Sequence, residues 1–253
     1  MSAGTLRVEA VMGTVFRIEV CGAPVSDAVL DEAVALLHRH DEVFSTYRED
    51  SPVSRLSRGE VALTDCPAEV AAVAALCADA YQATGGYFTP GYAGSYDPTG
   101  LVKGWSVERV HDLLRCAGST AHSVNGGGDV RVFGETAPGE PWQVGITHPL
   151  APDSFVAVVS ATDLAVATSG SYERGPHVLN PFTGRPAREL ASVTVTGPDL
   201  AFADAYATAL LAMGDDALDW ATRQPRIEAL IVCADGTLRR TPGFGGPDGG
   251  GGR

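Results

Sequence analysis

Two segments far apart in the chain carry residue types that can do chemistry together. One is Asp97-Pro98-Thr99-Gly100-Leu101-Val102-Lys103-Gly104-Trp105, an acid–Gly–Lys turn. The other is Phe202-Ala203-Asp204-Ala205-Tyr206-Ala207-Thr208-Ala209-Leu210, which places a carboxylate and a hydroxyl at i and i+4, on one face of a helix. Hard divalent cations take oxygen ligands, so Asp204 and Thr208 can grip one from adjacent turns, and Lys103 can meet a phosphate as a point charge. Each segment also has a plainer reading. Asp204 can cap its helix with Thr208 bonded back to the Asp204 carbonyl, and the Asp97 segment can be a surface loop with a helix N-cap at Thr99 or Ser106.

Three further stretches are chemically suggestive. Asn125-Gly126-Gly127-Gly128-Asp129 is either an anion nest of backbone amides or a tight hairpin with Asp129 satisfying amides. Thr168-Ser169-Gly170-Ser171-Tyr172-Glu173-Arg174 leads to His177, which either assists proton transfer at a hydroxyl or is structural. No GxSxG elbow surrounds Ser169, which removes a serine-hydrolase reading. Tyr47 and the pair Tyr87-Phe88 either stack on a planar ligand or anchor the core.

The elements that must position these residues are legible from periodicity. Leu6 to Val20 alternates as two strand pieces around Met12-Gly13-Thr14. Helices are expected over Asp27 to Phe44, Pro67 to Thr84 with Gly85-Gly86 as a C-cap pair, Ser106 to Cys116, Ala203 to Met213 and Ala217 to Arg223. Phe44 to Gly59 and residues 86 to 104 read as loops. His122 to Val132 reads as strand–turn–strand, and Trp142 to Thr147, Phe155 to Ser160, Leu164 to Thr168, Val193 to Thr196 and Ile227 to Cys233 as strands. Strands and helices interleave irregularly, so the expected class is α+β, one domain over residues 1–242 with mixed or antiparallel sheets flanked by helices. Residues 243–253 read as a Gly-rich disordered tail.

Composition narrows the function. Of 253 residues, 45% are apolar and 19% charged, enough for a sizeable core. A formal net charge of −13 without a Lys/Arg cluster argues against nucleic-acid binding. Five cysteines with no CxxC spacing read as reduced thiols. No signal peptide, lipoprotein anchor or membrane-length apolar run is visible, so a cytoplasmic location is expected.

Taken in order, Met12-Gly13-Thr14, Phe44-Ser45-Thr46-Tyr47-Arg48, Gly85-Gly86-Tyr87-Phe88, the Asp97–Trp105 and Asn125–Asp129 segments, Thr168–Arg174, His177-Val178-Leu179-Asn180-Pro181-Phe182-Thr183-Gly184 and Phe202–Leu210 resemble the ApbE family, the FAD:protein FMN transferases. The resemblance runs from Met12 to about Met213. It implies a Mg2+-dependent enzyme with FAD as substrate. FMN would pass to a Thr or Ser hydroxyl of an acceptor protein, with release of AMP. A pyrophosphatase giving FMN and AMP, or a non-catalytic FAD-binding protein, are the alternatives. It further implies Asp204, Thr208 and the Gly100 carbonyl as Mg2+ ligands, and Met12, Tyr47, Tyr87, Phe88, Thr89, Asp97, Lys103 and His177 as FAD contacts, with His177 and Lys103 catalytic. Thr89 stands where many members carry Asp, the stretch from Phe88 to Asp97 is shorter than in many, and no internal Asp-Gly-x-Thr acceptor is evident.

Overall fold

A computed structural model describes residues 4–92, 95–170 and 178–245 of the chain. The alternation at the N-terminus becomes a hairpin, β1 (Thr5–Val11) and β2 (Thr14–Cys21). Helix α1 (Asp27–Phe44) follows as expected, and the loop after it contains a short helix, α2 (Pro52–Ser57), capped by Ser51. Then come α3 (Ala68–Ala83), the two-residue strands β3 (Gly91–Tyr92) and β4 (Ser95–Tyr96), and α4 (Thr99–Cys116). Strands β5 (Ala121–Gly126), β6 (Asp129–Phe133), β7 (Glu135–Ala137), β8 (Glu140–His148), β9 (Ala151–Ala161), β10 (Asp163–Gly170) and β11 (Leu190–Gly197) lead to α5 (Leu200–Met213) and α6 (Ala217–Thr222). The last strands are β12 (Glu228–Cys233) and β13 (Leu238–Arg240).

Eight strands form one antiparallel sheet in the order β1-β2-β5-β6-β10-β11-β12-β13, and β7, β8 and β9 form a second. Because side chains alternate across a strand, β2 sends Phe16, Ile18 and Val20 inward and turns Arg17 and Glu19 to the other face. The inward face joins the main core under α1, α4 and α5. On the outer face, β8 covers the middle of the sheet through Trp142 and Val144 against Val130, Val132 and Val166. Strand β11 is buried along its whole length. The expected α+β class with antiparallel sheets and flanking helices is the observed architecture. Of the expected tail, Phe244 packs beside Ile146, Val159 and Leu230, and residues 246–253 lie outside the described residues.

One boundary differs in a way that matters. Helix α4 begins at Thr99, not near Ser106, so Lys103, Gly104 and Trp105 are helical. Leu101, Val102, Trp105, Val107, Val110 and Leu114 are all buried, and with Gly104, Ser106, Glu108 and His111 they cover most of the helix's circumference. Gly100 and Gly104 interrupt the apolar pattern in the sequence. Asp97 starts the helix by accepting the Thr99 N–H at 2.9 Å, while Trp105 packs on His40 and Phe44 of α1.

Buried polar groups set the register of α4. Glu108 accepts the Leu200 N–H at the start of α5 (2.6 Å) and pairs with Arg131 of β6 (3.2 Å), whose guanidinium also reaches Asp163 (2.5 Å). Burial pushes the Glu108 carboxyl up to about 7, against the pull of Arg131. His111 and His122 share a 2.8 Å hydrogen bond, and burial lowers them to about 3 and about 4; His40, bonded to Ser106, falls to about 4 for the same reason.

These shifts make stability depend on pH with opposite signs. A histidine lowered on folding costs stability as pH falls from its unfolded value near 6.5 toward its folded one, because the unfolded chain takes up the proton first. A glutamate raised to about 7 costs stability as pH rises from about 4.5 to 7. Three histidines outweigh one glutamate, so the melting temperature should fall between pH 6.5 and 4.5, by on the order of 5 °C. Thermal melts across that range check it, and His40→Gln should flatten the slope. A melting temperature constant over the range would mean that these histidines are not held neutral.

Candidate active site

The site lies at one end of the large sheet, where two glycine turns and two helices meet. The first turn, Met12-Gly13, has both residues at positive φ, a conformation that is costly for a methionine. The second, Gly127-Gly128, closes the β5–β6 hairpin, also with both φ positive. The turns dock on one another: the Gly127 N–H donates to the Val15 carbonyl at 3.1 Å, and a Cβ on Gly127 would stand 2.5 Å from the Thr14 hydroxyl. The hairpin reading of the Asn125 segment therefore holds. Asn125 caps its own turn by accepting the Gly128 N–H, which leaves Asp129 free for other partners.

Asp129, only 2% exposed, accepts the Thr168 N–H of β10 through Oδ1 at 2.9 Å and pairs with the Lys103 ammonium through Oδ2. Lys103 also reaches Asp204 Oδ2 at 3.1 Å. Asp204, 5% exposed, takes a further hydrogen bond from the Gly104 N–H at 3.1 Å. Gly104 makes this approach feasible, because a Cβ there would run into the Leu200 carbonyl and stand 3.0 Å from Asp204 Cβ. The plain reading of Asp204 as a cap does not hold, since Asp199 caps α5 by accepting the Phe202 N–H. Nor does Thr208 bond back to its own helix: its hydroxyl meets Ser169 Oγ at 3.1 Å.

Two buried carboxylates share one ammonium, so this cluster carries a net −1 before any ligand arrives. That charge repels a phosphate, whereas one added dication reverses it. Among the described residues no three His, Cys, Asp or Glu side chains converge as a metal cage. A cation held by the described residues would complete its shell from hydroxyl, backbone, water or substrate oxygens, which is how Mg2+ is commonly held. The oxygen donors of Asp204 and Thr208 suit such a hard ion and not a soft one.

The other expected residues surround this cluster unevenly. Gly100 lies one helical turn before Gly104, and a Cβ on it would stand 3.4 Å from the Phe88 ring. Tyr87 meets Phe182 edge-on at 4.8 Å, which joins the Gly85–Phe88 segment to the Asn180–Gly184 loop. Asn180 fastens that loop to the end of α5 by donating to the Ala212 carbonyl at 3.1 Å. Thr89 spends its hydroxyl locally on Gly91. Met12 packs on the main core, and Asp97 is exposed at the start of α4. Tyr47 is 97% exposed and is not drawn into the cluster. His177 lies outside the described residues.

Two partners escape the sequence reading. Asp129 was visible there only as a hairpin acid and Ser169 only as a failed nucleophile, yet they orient Lys103 and Thr208. The available signal for Asp129 is a carboxylate opening the otherwise buried strand Asp129-Val130-Arg131-Val132.

Comparison with known proteins follows this geometry. The ApbE family profile matches residues 12–96 and 93–231. A Vibrio cholerae protein named FAD:protein FMN transferase is 35% identical over 130 residues, covering 47% of this chain and 39% of its own length. One of the same name from Haemophilus influenzae is 31% identical over 151 residues, covering 55% and 44%. The chain thus aligns with about two fifths of the length of these curated relatives. Among solved structures, the flavin transferase ApbE of Vibrio cholerae superimposes with a TM-score of 0.81 at 22% identity, over 96% of this chain and 98% of that one. An ApbE protein from Thermotoga maritima gives 0.84 at 24%, over 96% and 98%. At such identities the likeness is one of fold. No described helix is long and apolar enough to cross a membrane.

Proposed function

The chain belongs to the ApbE family, and from that premise we propose that it is a Mg2+-dependent FAD:protein FMN transferase. In this reading a Thr or Ser hydroxyl of an acceptor protein attacks the FMN-side phosphorus of FAD. A new P–O bond forms, the bond to the AMP oxygen breaks, and the hydroxyl loses its proton. The barrier is mostly charge repulsion and positioning. The observation that carries the reading is the Lys103 ammonium bracketed by two buried carboxylates, with Thr208 one turn beyond Asp204.

Asp204, Thr208 and the Gly100 carbonyl would hold Mg2+, which when bound neutralises phosphate oxygens and assists the leaving group. Lys103 supplies fixed positive charge, and Asp129 and Asp204 hold it in one orientation. His177 takes or orients the proton of the incoming hydroxyl. Met12, Tyr87, Phe88, Thr89 and Asp97 are assigned to FAD, as is Tyr47, whose exposed ring would become covered on binding. A location in the cytoplasm is part of the same proposal.

The test incubates the purified chain with FAD, Mg2+ and candidate acceptors while following AMP release and acceptor mass. Equal amounts of AMP and flavinylated acceptor are expected. FMN released at the same rate without acceptor would replace transfer by hydrolysis. Lys103→Met keeps most of the aliphatic stem and removes the charge, and should lower turnover about a hundredfold; the two carboxylates left without their ammonium should also lower the melting temperature. Turnover within a factor of two of the unmodified chain would take Lys103 out of the chemistry.

A further inference from the structure

On the outer face of the large sheet, away from α4 and α5, a cavity of about 440 Å³ separates β2, β5 and β6 from β8. Arg17 and Glu19 of β2 and Ser123 and Asn125 of β5 form one wall, and Gln143 and Thr147 of β8 belong to the other. One end of the cavity is lined by Gly127, Gly128, Asp129 and Thr168, so it runs into the cluster that holds Lys103. Strand register places Arg17 opposite Asn125 and Glu19 opposite Ser123, so Arg17 is nearer that end than Glu19.

We propose that this cleft seats an extended segment of the acceptor protein, delivering its hydroxyl at the Asp129 end. The inference rests on the transferase reading and adds where the acceptor binds and which charges select it. Three observations support it.

First, the wall carries charged and hydroxyl side chains that have no partner among the described residues. Among the described residues, the side chains of Arg17, Glu19, Ser123 and Thr147 make no hydrogen bond or ion pair within the protein. A lone Arg and a lone Glu left side by side on one strand face invite a partner carrying the opposite charges.

Second, the spacing is that of a strand. Arg17 and Glu19 are at i and i+2, the side-chain period of extended chain, so a segment lying along β2 can present an acid to Arg17 and a base or amide to Glu19. From Ser123 to Gly127 the wall is about 13 Å long, the reach of roughly four extended residues.

Third, the lining does not suit the nucleotide. Trp142, its aromatic residue, is buried against the sheet with its indole N–H on the Phe133 carbonyl, so it offers no open stacking face. Glu19, at the end away from Lys103, would repel phosphates. A polypeptide of mixed charge is the occupant this chemistry favours.

The test supplies the purified chain with FAD, Mg2+ and a pooled library of ten-residue peptides with a fixed central threonine and randomised flanks. Flavin fluorescence isolates the labelled peptides, and sequencing reads each flanking position. The native chain should enrich an acidic residue at a flanking position. The exchange Arg17→Glu with Glu19→Arg leaves the net charge at −13, and should reverse that preference toward Lys or Arg by about fivefold in each direction, with KM for FAD unchanged. Ser123→Lys places a cation opposite Glu19 and should weaken the preference for a base or amide at the position that faces Glu19, which reads the second wall charge independently. An unchanged preference in both variants, a labelled pool with no charge preference, or FAD cleavage with no peptide labelled would each overturn the cleft's role. Absence of any FAD cleavage would instead overturn the transferase reading itself.

Discussion

Asp204→Ala should lower Mg2+-dependent AMP release from FAD by about a thousandfold or more. The carboxylate does three things at once: it pairs with Lys103, accepts the Gly104 N–H, and is the buried oxygen donor best placed for a cation beside Thr208. No neighbouring acid can take over, because Asp129 is already committed to Lys103 and to the Thr168 amide. The fold should survive, since Lys103 keeps Asp129 as a partner and α5 keeps its caps from Asp199 and Glu108. Asp204→Asn separates charge from shape: it can still accept the Gly104 N–H yet is a poor ligand for a dication. A fall in turnover for both variants, deepest at low Mg2+, is the expected result. Normal turnover of Asp204→Ala at limiting Mg2+ would show that the ion is held elsewhere.

Gly104→Ala should be the most damaging single-methyl change in the site. The added carbon runs into the Leu200 carbonyl, a backbone atom fixed by the helix and by Glu108 on the Leu200 N–H. Neither α4 nor α5 can yield locally, so the helices must separate. The cost should be about 2–4 kcal/mol, read by urea denaturation. Turnover should fall with it, because that separation sets the distance between Lys103 and Asp204. Gly100→Ala is the control for stability. A Cβ there makes ordinary contact with the Phe88 ring at 3.4 Å, and alanine is the better helix former. Its stability should be equal to or above that of the unmodified chain. Equal stability of the two variants would mean that the close helix crossing is not a constraint.

The strand alternation of β2 and the all-round apolar character of α5 were legible because they depend on neighbours along the chain. The start of α4 was misplaced because Gly100 and Gly104 look like loop residues until the helix that needs them is in place. Gly104 is there for α5, and nothing local to it announces that. The short strands β3, β4, β7 and β13 were also missed, for a related reason: three residues or fewer carry no period to detect.

The residues of the site show the same division. That Asp204 and Thr208 share a helical face, that Lys103 follows an acid–Pro–x–Gly turn, and that Asn125–Asp129 turns tightly all follow from residue type and local spacing. Composition likewise established a large core and an acidic chain without a basic patch. What only the tertiary structure decided is who meets whom. Lys103, Asp129 and Asp204 come from a helix, a strand and a second helix, and the pairing depends on how α4 crosses α5 at the end of the sheet. The cap reading of Asp204 was removed the same way, by Asp199 taking the cap. The physical reason is range. Backbone preference and side-chain period act within a few residues, whereas the contest for a buried ammonium is decided by packing that brings distant segments together.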